Sequence, residues 1–121
     1  MANEINIQAS ITVQKFSPAV SGSASKDITQ TNSLVFSNVQ SIGTGTGQIL
    51  GLGVITTNLG YLFVKNLDGT NNALLTLDSN NTQVFALLRP GEFCLVPVNQ
   101  NTLYGKSSAG TVNVLVCACQ T

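Results

Sequence analysis

The chain has no histidine and no tryptophan, and only 8% of its 121 residues are charged, five basic and five acidic. The missing histidine removes the usual general base and the commonest metal ligand. It also leaves a cysteine nucleophile without the base that would generate its thiolate. The three cysteines, Cys94, Cys117 and Cys119, are an odd number and form no disulfide framework. Cys117-X-Cys119 with Cys94 as a third thiolate falls short of the four ligands of structural zinc, so all three read as small packing hydrophobes. Of the carboxylates Glu4, Asp27, Asp68, Asp78 and Glu92, three stand in or beside turn signals and none forms an acid-base pair. No enzyme, metal or cofactor is expected.

Charge is as scarce as chemistry. Soluble domains usually carry about a quarter charged residues, and a neutral chain with so few is a poor colloid as an isolated monomer, which points to a surface lying against other protein. With no basic cluster there is no electrostatic footprint for nucleic acid. No apolar run approaches the ~18 residues of a membrane-spanning helix, and the start Met-Ala-Asn-Glu-Ile lacks the pattern of a signal peptide, so synthesis and assembly are expected in the cytosol. A chain of 121 residues reads as one domain that buries roughly two-thirds of its unfolded surface and needs no staple to fold.

What the sequence has in abundance is short alternating runs broken by turns. Ile5, Ile7, Ala9, Ile11 and Val13 alternate with Asn6, Gln8, Ser10, Thr12 and Gln14, giving an extended segment with one apolar face. Residues 17–26, with Pro18, Gly22 and four serines, read as a turn-rich linker. Residues 1–20 are therefore expected either as an ordinary sheet strand or as an extended arm that adds to a neighbour's sheet edge. Residues 27–42 are dense in strand formers. Gly43-Thr-Gly-Thr-Gly lacks the following helix and the Gly-Lys-Ser/Thr ending of a phosphate loop, and reads as a flexible hairpin loop. Gly51 and Gly53 mark a bulge or a close backbone approach.

Residues 60–92 are the best-defined stretch. Tyr61-Leu-Phe-Val-Lys reads as a central strand covered on both sides, Asp68-Gly69 as a hairpin reversal, and residues 73–78 and 84–88 as strands paired across Ser79-Asn-Asn-Thr. Arg89-Pro-Gly-Glu is a tight turn, and Pro97 puts the next strand at a sheet edge. The last strand, residues 111–119, has Val112, Val114, Val116 and Ala118 on one face and Asn113, Leu115, Cys117 and Cys119 on the other. That second face is either interior or covered by a neighbour. The count is about eight or nine short strands with no helical period, which predicts an all-β antiparallel sandwich, jelly-roll-like, as one domain over residues 1–121.

Val39-Gln-Ser-Ile-Gly, Gly60-Tyr-Leu-Phe-Val-Lys-Asn-Leu-Asp-Gly-Thr-Asn, Leu88-Arg-Pro-Gly-Glu-Phe, Leu103-Tyr-Gly-Lys and the valine-rich last strand together resemble small β-sandwich virion structural proteins of tailed bacteriophages. The resemblance runs from Val39 to the C-terminus. It implies a non-enzymatic protein present in many copies on the particle, most often a capsid decoration or cement protein, otherwise a tail or tail-fibre component such as a carbohydrate-binding module. The expected partners are the chain itself, as a homotrimer, and the major capsid protein, with no nucleic acid and no membrane. The expected contact surfaces are the Ile5, Ile7, Ile11, Val13 face and the Leu115, Cys117, Cys119 face.

Overall fold

The computed structural model describes residues 4–14 and 20–121. Among these there is no helix, and ten strands form three antiparallel sheets: a two-stranded ribbon and two four-stranded sheets. The ribbon is β1 (Ile5–Val13) with β2 (Val20–Ile28). The larger body follows from β3 (Val35–Ile42), β4 (Gln48–Ile49), β5 (Leu59–Asn66), β6 (Ala73–Thr76), β7 (Val84–Leu88), β8 (Phe93–Pro97), β9 (Tyr104–Ser107) and β10 (Val112–Gln120). One sheet runs β3-β10-β5-β8 and the other β4-β9-β6-β7. The pairs β3·β10, β4·β9, β5·β8 and β6·β7 are all hydrogen-bonded, so the chain from β3 to β10 is one long antiparallel ribbon folded over on itself.

The period-two patterns place the core. Val112, Val114, Val116 and Ala118 of β10 meet Leu62 and Val64 of β5, with Leu75 and Leu88 from the second sheet, Leu103 just before β9, and Leu50, Leu52 and Ile55 from the chain after β4. Each such side chain taken fully out of water contributes about 1.5–3 kcal/mol. No residue of β1 or β2 belongs to this cluster. The gap beside β4 is closed by a side chain acting as a strand partner: Gln40 accepts from the Gly51 N–H at 2.9 Å and donates to the Gly51 carbonyl at 2.6 Å. Gly53 has φ +60°, and a Cβ there would stand 2.4 Å from the Phe36 ring, so the glycine expected to mark a close approach does so against a side chain.

Several sequence expectations hold. β6 and β7 pair across the residue 79–82 turn. Gly91 has φ +80° in the Pro90-Gly91 turn, and Glu92 N–H donates to the Arg89 carbonyl at 2.9 Å. β8, with Pro97, is an edge strand, and β5 lies between β10 and β8.

Three expectations are corrected. The stretch expected as a linker is strand from Val20 onward, paired with β1 through Val13↔Val20, Ile11↔Gly22, Ala9↔Ala24 and Ile7↔Lys26. Glycine and serine hid a period of two that the partner strand completes; residues 17–19 of that linker lie outside the described residues. Asp68-Gly69 does not close a hairpin, because β5 and β6 belong to different sheets. The loop carries the chain across the sandwich, with Asp68 N–H donating to Asn66 Oδ1 at 2.8 Å and Asp68 Oδ2 accepting from the N–H groups of Thr70 and Asn71. The 43–47 glycine loop likewise joins two sheets, and Gln48 holds it by donating to the carbonyls of Gly43 at 2.8 Å and Gly45 at 2.7 Å.

Candidate functional site

The side chains that remain unsatisfied by the core gather on the outer face of the β3-β10-β5-β8 sheet. Strand register arranges them in rows, since residues directly opposite share a face. One row is Val35, Cys119, Tyr61 and Pro97; the next is Ser37, Cys117, Phe63 and Leu95; the third is Val39, Leu115, Lys65 and Phe93. Eleven positions in these rows are uncharged and Lys65 alone carries charge. Phe63 and Phe93, diagonal neighbours, stack with centroids 5.8 Å apart. Val39 is 57% and Phe93 63% exposed, well beyond what an outward valine or phenylalanine shows when covered.

The second apolar surface is the ribbon. Its register brings Ile5, Ile7, Ala9, Ile11 and Val13 onto one face with Val20, Gly22, Ala24, Lys26 and Ile28, while Asn6, Gln8, Ser10 and Thr12 share the other with Ser21, Ser23, Ser25 and Asp27. Asn6 Nδ2 donates to Asp27 Oδ1 on that polar side. Gly22 stands opposite Ile11, and a Cβ there would meet Ile11 Cγ2 at 3.7 Å, an ordinary contact. Toward its tip the apolar face is bare: Ile11 is 65% and Val20 64% exposed.

The ribbon is anchored at its base. Gln30 N–H donates to Glu4 Oε2 at 3.0 Å, holding the Glu4 carboxyl below the usual carboxylate range. Gln30 Nε2 donates to the Gln120 carbonyl at 2.9 Å, and Asn32 Nδ2 to the Thr121 carbonyl at 3.1 Å. Gln120 returns the tie, accepting from Leu34 N–H through Oε1 and donating from Nε2 to the Thr57 carbonyl at 2.7 Å. The segment between ribbon and body is thus pinned to the end of β10.

Between ribbon and body lies a cleft of about 1000 Å³, walled on one side by the ribbon, through Asn6, Gln8, Ser10, Ser23 and Ser25 together with Ile7, Ala9 and Ala24, and on the other by Phe63, Phe93 and Leu95. The ribbon thereby overhangs the β5–β8 half of the outer face. The β3–β10 half, with Val39, Leu115 and Cys117, is not part of the cleft wall.

The two expected contact groups therefore fall on two separate surfaces. Ile5, Ile7, Ile11 and Val13 share the ribbon face; Leu115, Cys117 and Cys119 share the sheet's outer face, half-buried beside their strand neighbours. Sequence reasoning missed Val35, Val39, Tyr61, Phe63, Phe93 and Leu95, which complete the latter surface, and Val20, Ala24 and Ile28, which complete the former. The alternation of valine and serine in residues 35–41 was the available signal for the edge. For β5, an apolar outer face was legible but read as covered.

The polar chemistry serves structure. Cys94 faces the core and Cys119 the outer sheet face, and burial pushes both thiols up. Cys117 Sγ lies 3.3 Å from Ser37 Oγ across the β10·β3 pair. Asp78 is held low by the Thr82 hydroxyl and the Gln83 N–H, and Asp68 by the N–H groups of Asn71 and Thr70. Among the described residues no three of His, Cys, Asp or Glu gather as a metal site. Comparison with known proteins finds no family model, no curated protein and no solved structure that matches the chain.

Proposed function

We propose that the protein is a non-enzymatic structural component of a tailed-phage virion, a capsid decoration or cement protein that binds the outside of the head and ties neighbouring major capsid proteins together. The observation that carries this reading is the pair of uncovered apolar surfaces, one on a sheet and one on a projecting ribbon, in a chain with five basic and five acidic residues. Apolar surface in contiguous rows on a soluble chain marks a contact site. The nested pairing of β3 to β10 reads as a jelly roll, an architecture used by viral capsid domains and by lectins. Against the alternative of a carbohydrate-binding tail module stands the placement of the two tyrosines: Tyr61 and Tyr104 belong to different sheets and form no shared stacking platform.

Such a protein acts by buried area. Contacts between the apolar faces and a shell are little screened by salt, unlike exposed ion pairs, whose range shrinks to about 3 Å at 1 M. The test is sedimentation of purified protein with phage heads that lack it, at low salt and at 1 M, followed by reconstruction of the decorated particle. Binding retained at 1 M with density on the head exterior is the expected result. Density confined to the tail, or absence of binding at either salt concentration, overturns the assignment to the head.

A further inference from the structure

The two four-stranded sheets end in four strand edges, β3, β8, β4 and β7, and these differ in how they are guarded. β8 carries Pro97, β4 is two residues long, and β7 is short with a register shift against β6. β3 has none of these devices. Its eight residues, Val35–Ile42, contain no charge and no proline, and they pair with β10 without a break in register. A long uncharged edge of this kind is a template for a further strand.

The backbone groups on the open side of β3 follow from the hydrogen bonds around β10. Gln120 N–H donates to the Leu34 carbonyl at 3.0 Å, while Asn113 uses its carbonyl on the other side, accepting from Leu67 N–H at 2.9 Å. The even-numbered residues of β10 therefore face β3, and their partners there are Phe36, Asn38, Gln40 and Ile42. Because direction alternates along an antiparallel strand, Val35, Ser37, Val39 and Ser41 point their N–H and C=O groups outward.

We propose that β3 of one copy pairs antiparallel with β3 of a second copy about a two-fold axis at Val39, joining the two β3-β10-β5-β8 sheets into one continuous sheet. What selects a second copy is the order of residues on the edge itself. Outward from Val39 in both directions, β3 runs Asn38 and Gln40, then Ser37 and Ser41, then Phe36 and Ile42. Pairing about Val39 sets valine on valine, serine on serine, one amide against another, and phenylalanine against isoleucine. Every position meets its own chemical class. Val39, Ser37 and Ser41 are outward-directed, so each of their pairs exchanges both N–H···O=C bonds. Moving the axis to Asn38 sets Val39 against Ser37 and Phe36 against Gln40, and moving it to Gln40 sets Val39 against Ser41 and Ile42 against Asn38. The edge is thus self-complementary in one register. The ladder stops at Gly43, opposite Val35, because Gln48 already occupies the Gly43 N–H and carbonyl.

A two-fold perpendicular to the sheet keeps both outer faces on one side, so the apolar rows through Val39 and Leu115 run on from copy to copy. The pair is a closed dimer, in place of the trimer expected from the sequence. The inference concerns the chain alone and goes beyond its assignment to a particle.

Sedimentation equilibrium on the isolated protein tests it, with V39K, V39E and V39P as variants and calorimetry as the check on folding. Val39 is 57% exposed, so a charge there leaves the folded monomer intact. Proline keeps the position apolar and deletes an N–H that β10 does not use. Wild type is expected to dimerise at micromolar concentration. Each variant is expected to raise the dissociation constant about tenfold or more, through like charges facing across the axis or through lost ladder bonds. An equimolar mixture of V39K and V39E is expected to recover the dimer, because opposite charges then face each other. That recovery decides the matter even where V39P melts early. A wild type still monomeric at tens of micromolar overturns the proposal, as do V39K and V39E that dimerise like wild type, or a mixture of them that stays monomeric. A dimer that leaves phage heads undecorated sinks the virion reading alone, and heads decorated only by unpaired copies sink the pairing alone.

Discussion

Asn66 at the end of β5 donates from Nδ2 to the carbonyl of Leu88 at the end of β7, at 2.9 Å, with both residues buried. One amide therefore bolts the β3-β10-β5-β8 sheet to the β4-β9-β6-β7 sheet at the point where two crossing loops pass. The same Nδ2 donates to the Asn71 carbonyl at 2.9 Å, and Oδ1 accepts from Asp68 N–H at 2.8 Å. The backbone of Asn66 joins in, donating to Glu92 O at 2.9 Å and accepting from Gly91 N–H at 3.1 Å. Asn66 is thus the shared partner of both loops that cross between the sheets there.

Replacing it tests that role. Asn66→Ala leaves the Leu88 and Asn71 carbonyls and the Asp68 N–H without this partner, and a buried polar group left unpaired costs about 1–3 kcal/mol. Asn66→Asp keeps the acceptor for Asp68 N–H but sets a carboxylate against two carbonyls, so it is expected to be at least as damaging near neutral pH. Urea unfolding followed by circular dichroism gives both values. An alanine variant within about 0.5 kcal/mol of wild type, the range of ordinary surface changes, contradicts the role.

The sandwich was legible because its strands are written in side-chain period. Val112 to Ala118 and Tyr61 to Lys65 each declare an inner face, and turns such as Pro90-Gly91 need particular residues. Pairing was not legible. Asp68-Gly69 has the chemistry of a hairpin, yet Asn66 and Asp68 fold it into a crossing between sheets, a choice made by contacts remote in sequence. β2 was hidden for a different reason. Glycine and serine weaken the local strand signal, and only the register with Ile11 and Ala9 supplies the reason for extension. The outer sheet surface was half visible: Leu115, Cys117 and Cys119 stood out in one strand, whereas Val39, Phe63 and Phe93 join them only through pairing.

Acid stability reads out the loop carboxylates. Asp68 and Asp78 both have folded-state pKa values below the ordinary 3.8, held there by N–H and hydroxyl donors. A depressed carboxylate stabilises the fold fully above its unfolded pKa, and that contribution is lost as pH falls through the folded value. Wild-type protein is therefore expected to lose stability from about pH 4 downward, and a D68N, D78N double variant to show a shallower loss over the same range. Urea midpoints between pH 7 and pH 2 make the comparison. Parallel curves for the two proteins contradict the assignment of acid sensitivity to these loops.

The ribbon gives the most discriminating prediction, because the two roles open to residues 1–28 have opposite consequences for folding. A strand that completes the core cannot be removed without exposing its partners. Here the core cluster draws nothing from β1 or β2, and the ties of Gln30 Nε2 and Asn32 to Gln120 and Thr121 belong to the segment after β2. Removing residues 2–28 is expected to leave a cooperatively unfolding body with its melting temperature lowered by no more than a few degrees, about 1 kcal/mol for a domain of this size. Pairing through β3 should persist in the same variant, and the exposed row from Val39 to Phe93 should then bind an apolar dye more strongly, since nothing is left to cover it. Differential scanning calorimetry measures the first effect, and light scattering with dye fluorescence the others. Loss of the cooperative transition would make the ribbon part of the core. A truncated protein that folds but stays monomeric would move the contact between copies onto the ribbon, with β1 of a neighbour rather than a second β3 on the open edge.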